Sequence, residues 1–412
     1  MNVPVYIALA LVTAFAVLLL WLEGYWRRER AFLLAVAAVT AALLLRWPLL
    51  SHETLDYQNF LSVWVNFFRR NGGFSALSES IGNYNVPYLY FLALFSYSEV
   101  PDLYLIKLLS IFFDVVLAWA VLRLTRAGGA SDSAALCAYV STLLLPTVLL
   151  NGAYWGQCDS IYSAFAVLSA AMALERRPVL AMVSAALSFA FKLQAVFLLP
   201  VFLIFLFTGH IHWKHLIVFP LTYLIVVLPA VIAGRPLLDT ILLYFDQAGT
   251  VGSALSYNSP SVFALISVPP GRAEAASSLG IIASAVFLIV ICLWAFRKRR
   301  ELDARRLLGL TLLISLGVPY FLPHMHDRYF YLADVLSLAV AVTAPGLLFV
   351  PVLVSFGSIL CYYAYLNMRF LLPLRYAAAA MLLALCASAV WSIAPRPGGG
   401  EAQSGEGQEM EE

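Results

Sequence analysis

Residues able to do chemistry are scarce in this chain, and they gather in a few short polar stretches between long apolar runs. The first is Ser51–Asn85, where Asp56 follows the apolar run ending at Leu50. Phe60, Trp64, Phe67 and Phe68 then recur at helical spacing, which predicts an amphipathic helix from Asp56 to Arg70 lying in a membrane interface and broken at Gly72-Gly73. A carboxylate at the mouth of a membrane helix, followed by an interfacial helix, makes a floor for a site handling a lipid-borne substrate; an ordinary solvated loop is the alternative.

The densest polar cluster is His324-Met325-His326-Asp327-Arg328-Tyr329, bounded by Pro319 and Pro323. Ionisable groups at membrane depth cost roughly 2.5–3.5 kcal/mol each on insertion scales, so they usually serve a site. Arg328 offers a planar fork suited to phosphate oxygens, with His324 and His326 as further donors. A structural Asp327–Arg328 pair is the competing reading, and a metal site is disfavoured because the run leaves too few ligands. In Trp155-Gly156-Gln157-Cys158-Asp159, Asp159 reads as a helix N-cap, as a substrate-facing carboxylate beside the Gln157 amide, or as both. Lys192 and Gln194 interrupt another apolar run; they either snorkel to the interface or line a cavity and meet a phosphate. Lys107 and Asp114, seven apart on one helix, are expected to form an internal ion pair. His210, His212 and His215 are read as interfacial residues at a helix end rather than a metal site.

The elements that hold these residues follow from composition. The 412 residues are 62% hydrophobic and 12% charged, about half the charged fraction of soluble domains, so the chain is a polytopic all-α membrane protein. A net charge of +2 carries no implication of nucleic acid, and Arg297–Arg306 reads as a topology anchor. The five cysteines show no metal or disulfide spacing; Cys158, in a polar turn, is the one expected to be exposed. No basic residue precedes the first apolar run, so the first helix is expected to stay rather than be cleaved.

Arginine and lysine clusters mark the cytoplasmic side. With Arg27, Arg28 and Arg30 inside, about 13 crossings alternate so that Arg123, Arg126, Arg176, Arg177 and the Arg297–Arg306 run all fall on one face. Asp56, Asp159, Lys192 and 324–328 fall on the other. This arrangement requires Val86–Ser98 to be a partial or re-entrant segment, and 179–208 to be a helical hairpin tipped at Phe191–Ala195. It divides the chain into a membrane domain over 1–396, with a catalytic outer loop at 51–85 and a second outer loop at 234–270 holding Asp246, and a disordered acidic cytoplasmic tail over 397–412.

Taken together, GGFSAL (Gly72–Leu77), GNYNVPYLYFL (Gly82–Leu92), WGQCDS (Trp155–Ser160), FKLQA (Phe191–Ala195) and FLPHMHDRYFY (Phe321–Tyr331) resemble the GT-C membrane glycosyltransferases, chiefly bacterial relatives of the second GPI mannosyltransferase. The resemblance implies inverting transfer of a sugar, a hexose such as mannose, from a polyprenyl-phosphate donor to a glycan, lipid or protein acceptor on the outer face of the cytoplasmic membrane. It places Asp56 where such enzymes keep the base for the acceptor hydroxyl. Arg328, His324, His326 and Lys192 would then hold the departing phosphate, and Tyr57, Tyr84, Trp155 and Tyr257 suit stacking on a sugar ring. Many members carry two adjacent acids where this chain has the single Asp56; no cofactor is implied, and a divalent metal stays open. The competing functions are a transporter or flippase of lipid-linked saccharides and a non-catalytic envelope subunit. The charges gathered at helix ends and the lack of paired broken helices argue against the transporter.

Overall fold

The computed structural model describes residues 3–249 and 252–394, the side chains of 245–249 and 270 excepted. The acidic tail 397–412 and the side chain of Asp246 lie outside the described residues. The chain is all-α: α1 (Val3–Leu22), α2 (Glu29–Leu44), α3 (Ser62–Arg70), α4 (Val86–Phe95), α5 (Asp102–Ala127), α6 (Asp132–Leu144), α7 (Pro146–Leu149), α8 (Asp159–Leu174), α9 (Pro178–Phe191), α10 (Val201–Phe207), α11 (Val218–Ile232), α12 (Leu237–Gly249), α13 (Ala273–Lys298), α14 (Ala304–Phe321), α15 (Tyr331–Thr343), α16 (Phe349–Leu366) and α17 (Arg375–Ile393). The only strands among the described residues are β1 (Ser256–Tyr257) and β2 (Met325–His326), paired in parallel.

Among the described residues, eight helices are long and apolar enough to cross a membrane, or nine if the bent pair Asp132–Leu144 and Pro146–Trp155 is one span. Reaching the expected 13 would need Asp159–Leu174, Pro178–Phe191, Leu193–Phe207 and Tyr331–Thr343 to complete crossings as well. The second outer loop is not irregular throughout, since α12 occupies much of its first half.

The core forms around α5, α8 and α9. In α8 the sequence DSIYSAFAVLSAAMAL supplies alanines and serines at buried positions, and small side chains let helices approach closely where hydrophobic burial drives little association in lipid. Two buried polar ties then fix α2 to α5. Arg46 donates from Nε (3.1 Å) and Nη2 (3.0 Å) to Asp114 Oδ2, both residues wholly buried. Lys107 donates to the carbonyls of Leu49 (2.8 Å) and His52 (2.6 Å). The expected Lys107–Asp114 pair is therefore replaced: each finds its partner on the segment from α2 to the Asp56 loop, 68 residues from Asp114 in the bonded case of Arg46.

α4 spans ten residues, about 15 Å at 1.5 Å per residue, too short for a hydrocarbon core of roughly 30 Å. Tyr97, just past its end, packs on Phe74 and donates to Gly72 O at 3.1 Å, so the chain returns to the level it left. Asp102 then lies beside Tyr57, on the same end of α5 as the Asp56 loop. Val86–Ser98 is expected to be a partial or re-entrant segment; the helix within it is Val86–Phe95.

Candidate active site

Asp56 is 7% exposed and stands at the head of a helical stretch that widens into a π-turn at Tyr57–Leu61 before continuing as α3. A second π-turn, Leu150–Trp155, precedes Asp159. Such turns inside helices often occur at functional sites because they re-aim side chains. The two turns are stitched together. His52 stacks on Tyr154 with centroids 3.9 Å apart, and Thr54 Oγ1 donates to Trp155 O at 3.1 Å.

Gly156 then takes φ +80, the left-handed region that side chains with a Cβ rarely adopt. This sharp turn points two donors from neighbouring residues at one oxygen. Asp56 Oδ2 accepts from Trp155 Nε1 at 2.9 Å and from Gln157 Nε2 at 2.6 Å. Asp56 Oδ1 accepts from the hydroxyl of Tyr365, on the last turn of α16. Gln157 is fixed in turn by Tyr84, whose hydroxyl donates to Oε1 at 3.2 Å, and by Ser110, which donates to its carbonyl at 2.7 Å. The cradle of Asp56 is made of neutral donors, and the contacts of Lys192 and Arg328 go elsewhere.

They go to Asp159. That residue is the first of α8 rather than its cap, a position taken by Cys158 without a side-chain bond. Its carboxylate accepts from Lys192 Nζ and, at 2.8 Å, from Asn151 Nδ2, with Arg328 Nε 3.8 Å away. A helix N-terminus favours a carboxylate, but here the charge also organises two cations. Lys192 owes its aim to an extended backbone (φ −154, ψ 135) that breaks α9 from the following 3-10 turn. Arg328 lies over the Trp155 ring at 5.3 Å and 3.5 Å from Asp327, and its buried Nε has no hydrogen-bond partner. Burial pushes Asp327 up to about 7, against the opposing pull of Arg328.

Lys192, Gln194, Arg328 and Tyr84 line a cavity of about 800 Å³ whose other walls include apolar residues such as Phe197 and Ile281. Asp56 adjoins it from behind, through the contacts of Tyr84 with Gln157 and of Arg328 with Trp155. Gln194 carries a buried Oε1 with no partner. His326 stacks flat on Tyr257 (4.6 Å, 11°) and leans against Tyr329 at 5.1 Å. Burial, then Arg328 and Lys192, push His326 down to about 4, so it is a neutral ring at pH 7 and not a cation for phosphate. His324, at φ +62, spends both ring nitrogens on Ala254 O (2.8 Å) and Ser277 Oγ (3.0 Å), which makes it the clasp of the second outer loop.

The Tyr57 hydroxyl reaches Asp102 at 3.4 Å, and burial, with Asp102 adding to it, pushes it up to about 12. Cys158 is buried, whereas Cys137 and Cys386 are exposed. Among the described residues no three His, Cys, Asp or Glu side chains gather to hold a metal ion. The nearby carboxylates of Asp56 and Asp159 are each occupied by donors or cations, a set poorly suited to a divalent ion. Tyr365 and Asn151 were not marked by sequence reasoning. Tyr365 sits in the aromatic end of an apolar helix, CYYAYL, which reads equally well as a membrane-interface belt.

The polytopic helical bundle carries a carboxylate cradle beside a cavity lined by two cations. Residues 91–208, less than a third of the chain, match the family described as alpha-(1->6)-mannopyranosyltransferase, N-terminal domain (MptA_B family). The match supports the GT-C mannosyltransferase resemblance, and the chain is an integral membrane glycosyltransferase. The matched stretch contains Trp155, Gln157, Asp159, Lys192 and Gln194, while Asp56 and Arg328 lie outside it. A search of curated proteins returns no match.

Proposed function

We propose that the protein is an inverting mannosyltransferase that moves mannose from a polyprenyl-phosphate donor to a hydroxyl of a glycan, lipid or protein acceptor, on the outer face of the cytoplasmic membrane. The observation that carries this reading is the pairing of Lys192 and Arg328 on one apolar-walled cavity with the Asp56 carboxylate directly behind it. An isoprenoid phosphate needs cations for its head and apolar walls for its chain, and the cavity supplies both.

In this reaction Asp56 takes the proton of the acceptor hydroxyl as its oxygen attacks the anomeric carbon. The bond from that carbon to the phosphate oxygen breaks on the opposite face, and the lipid phosphate leaves with the electron pair. Arg328 and Lys192 stabilise the charge that develops there, with the planar fork of Arg328 suited to two phosphate oxygens at once. Asp159 holds the two cations in place. The stacked rings of His326 and Tyr257 offer a flat wall for a sugar. The outer-face assignment rests on the basic residues Arg123, Arg126 and Glu175-linked neighbours at the far end of the bundle, by the positive-inside tendency.

The test is purified protein incubated with a panel of radiolabelled polyprenyl-phosphate hexoses and a mixed glycan and lipid acceptor extract. Release of lipid phosphate from the mannosyl donor, coupled to labelled acceptor, is expected. Label that crosses a vesicle membrane without release of lipid phosphate would mark a transporter instead.

A further inference from the structure

The three donors around Asp56 are not equivalent. Trp155 and Gln157 are buried and both serve Oδ2. Gln157 is locked by Tyr84 and Ser110, and Trp155 is pinned beneath Arg328 and edge-on to Tyr362 at 5.2 Å. Tyr365 serves Oδ1 alone and is partly exposed. It stands at the rim of the site, beside the exposed segment containing Met368 (74% exposed) and Phe370 (62%). Its ring rests on Trp155, stacked at 5.0 Å and 23°.

A carboxylate oxygen offers about two acceptor directions. On Oδ2 both are taken by fixed donors. An alcohol reaching Asp56 must therefore use Oδ1, and must approach from the side where Tyr365 stands. The phenol is itself an O–H donor, of the same chemical class as the alcohol it faces.

We propose that Tyr365 is a stand-in for the acceptor hydroxyl: its O–H holds the reactive oxygen of Asp56 against water and yields that place to the acceptor alcohol. The proposal rests on Asp56 being the base. It deepens that reading by making Tyr365 the residue that separates transfer from hydrolysis. With an alcohol at Oδ1, its proton passes to Asp56, the new carbon–oxygen bond forms and the lipid phosphate departs. With water at the same place the same bonds form and break, the water proton passes to Asp56, and the products are free sugar and lipid phosphate.

The test compares full-length wild type, Tyr365→Phe, and the double variant Tyr365→Phe with Asp56→Asn, using radiolabelled mannosyl-phosphopolyprenol and no added acceptor. Tyr365→Phe keeps the ring on Trp155 and removes only the O–H. Free mannose release is expected to rise at least about fivefold over wild type in Tyr365→Phe, with an unchanged thermal midpoint, and to vanish in the double variant. Release at or below the wild-type rate in a folded Tyr365→Phe protein overturns the stand-in role. Raised release that survives Asp56→Asn places the failure in the base assignment instead, and so distinguishes the two. Should the Phe variant be recovered unfolded, Tyr365→Leu is measured with the same expectation.

Discussion

The two ends of α5 carry charge in opposite ways. At its C-terminal end Arg126 holds Glu23 at 2.5 Å and Asp132 at 3.0 Å, and Arg123 holds Glu175 at 2.5 Å with Glu23 at 3.6 Å. Each acid there meets an arginine and each guanidinium is spent on carboxylates, which ties together the ends of α1, α5 and α8 and the start of α6. At the N-terminal end, about 35 Å away at 1.5 Å per residue, the same kinds of group are left incompletely paired. Arg328 sits 3.5–3.8 Å from two carboxylates with its Nε unbonded, Asp327 Oδ1 accepts no hydrogen bond, and among the described residues Asp56 meets no cation directly. An anchor closes its charges upon one another, whereas a site keeps donors in reserve for a ligand.

Which end of α5 faces outward has an all-or-none test. In a background with the exposed Cys137 and Cys386 changed to serine, Glu79→Cys should react with an impermeant thiol reagent on intact cells, and Glu301→Cys only after the membrane is opened. The reverse pattern would put the open cluster on the cytoplasmic side.

Next in size is Arg328→Lys. An ammonium cannot reproduce a two-pronged contact with phosphate, and charge-assisted hydrogen bonds are worth roughly 1.5–3 kcal/mol, so donor affinity should fall about tenfold or more. Arg126→Lys, at the closed end, should leave donor binding unchanged. Equal losses from the two substitutions would erase the distinction between anchor and site.

A further effect is expected on stability against pH. The Asp327 carboxyl is raised from 3.8 to about 7 by burial, so the folded chain holds its proton more tightly than the unfolded chain does. Its stabilising contribution is full below about pH 4, declines as pH rises through about 7, and is flat beyond that. Thermal midpoints measured from pH 4.5 to 8 should therefore fall in wild type relative to Asp327→Asn, with the difference levelling off above neutrality. Parallel curves would mean that Asp327 is already ionised throughout.

Much of the frame was legible in residue order, for reasons that can be named. The one-sided arginines predicted which loops share an end, and the contacts of Arg126 with Glu23 and of Trp155 with Asp56 place them accordingly. Val86–Ser98 read as a partial or re-entrant segment because Pro87 and Glu99-Val100-Pro101-Asp102 interrupt it and because that reading keeps Arg123 and Arg126 with the other basic clusters. Pairing across long sequence distances was not legible. Lys107 and Asp114 share a helix face, yet a lone arginine at the end of α2 offered two donors to one oxygen of Asp114, and two free carbonyls offered Lys107 acceptors. His324 and His326 read alike as phosphate donors because their types are identical; only the strand pairing with Ser256–Tyr257 separates a clasp from a stacked ring. Tyr365 gave no signal, since its partner lies 309 residues earlier and an aromatic at a helix end is ordinary in a membrane protein.

Turnover of mannosyl-phosphopolyprenol by Asp56→Asn tests most directly whether Asp56 is the base. Asparagine keeps the shape and can still meet Tyr365, so folding and donor binding should survive. Transfer should fall by at least about two orders of magnitude, the usual scale of a lost general base. Near-full transfer by Asp56→Asn, with Asp159→Asn inactive, would rule out Asp56 as the base and move that role to the head of α8.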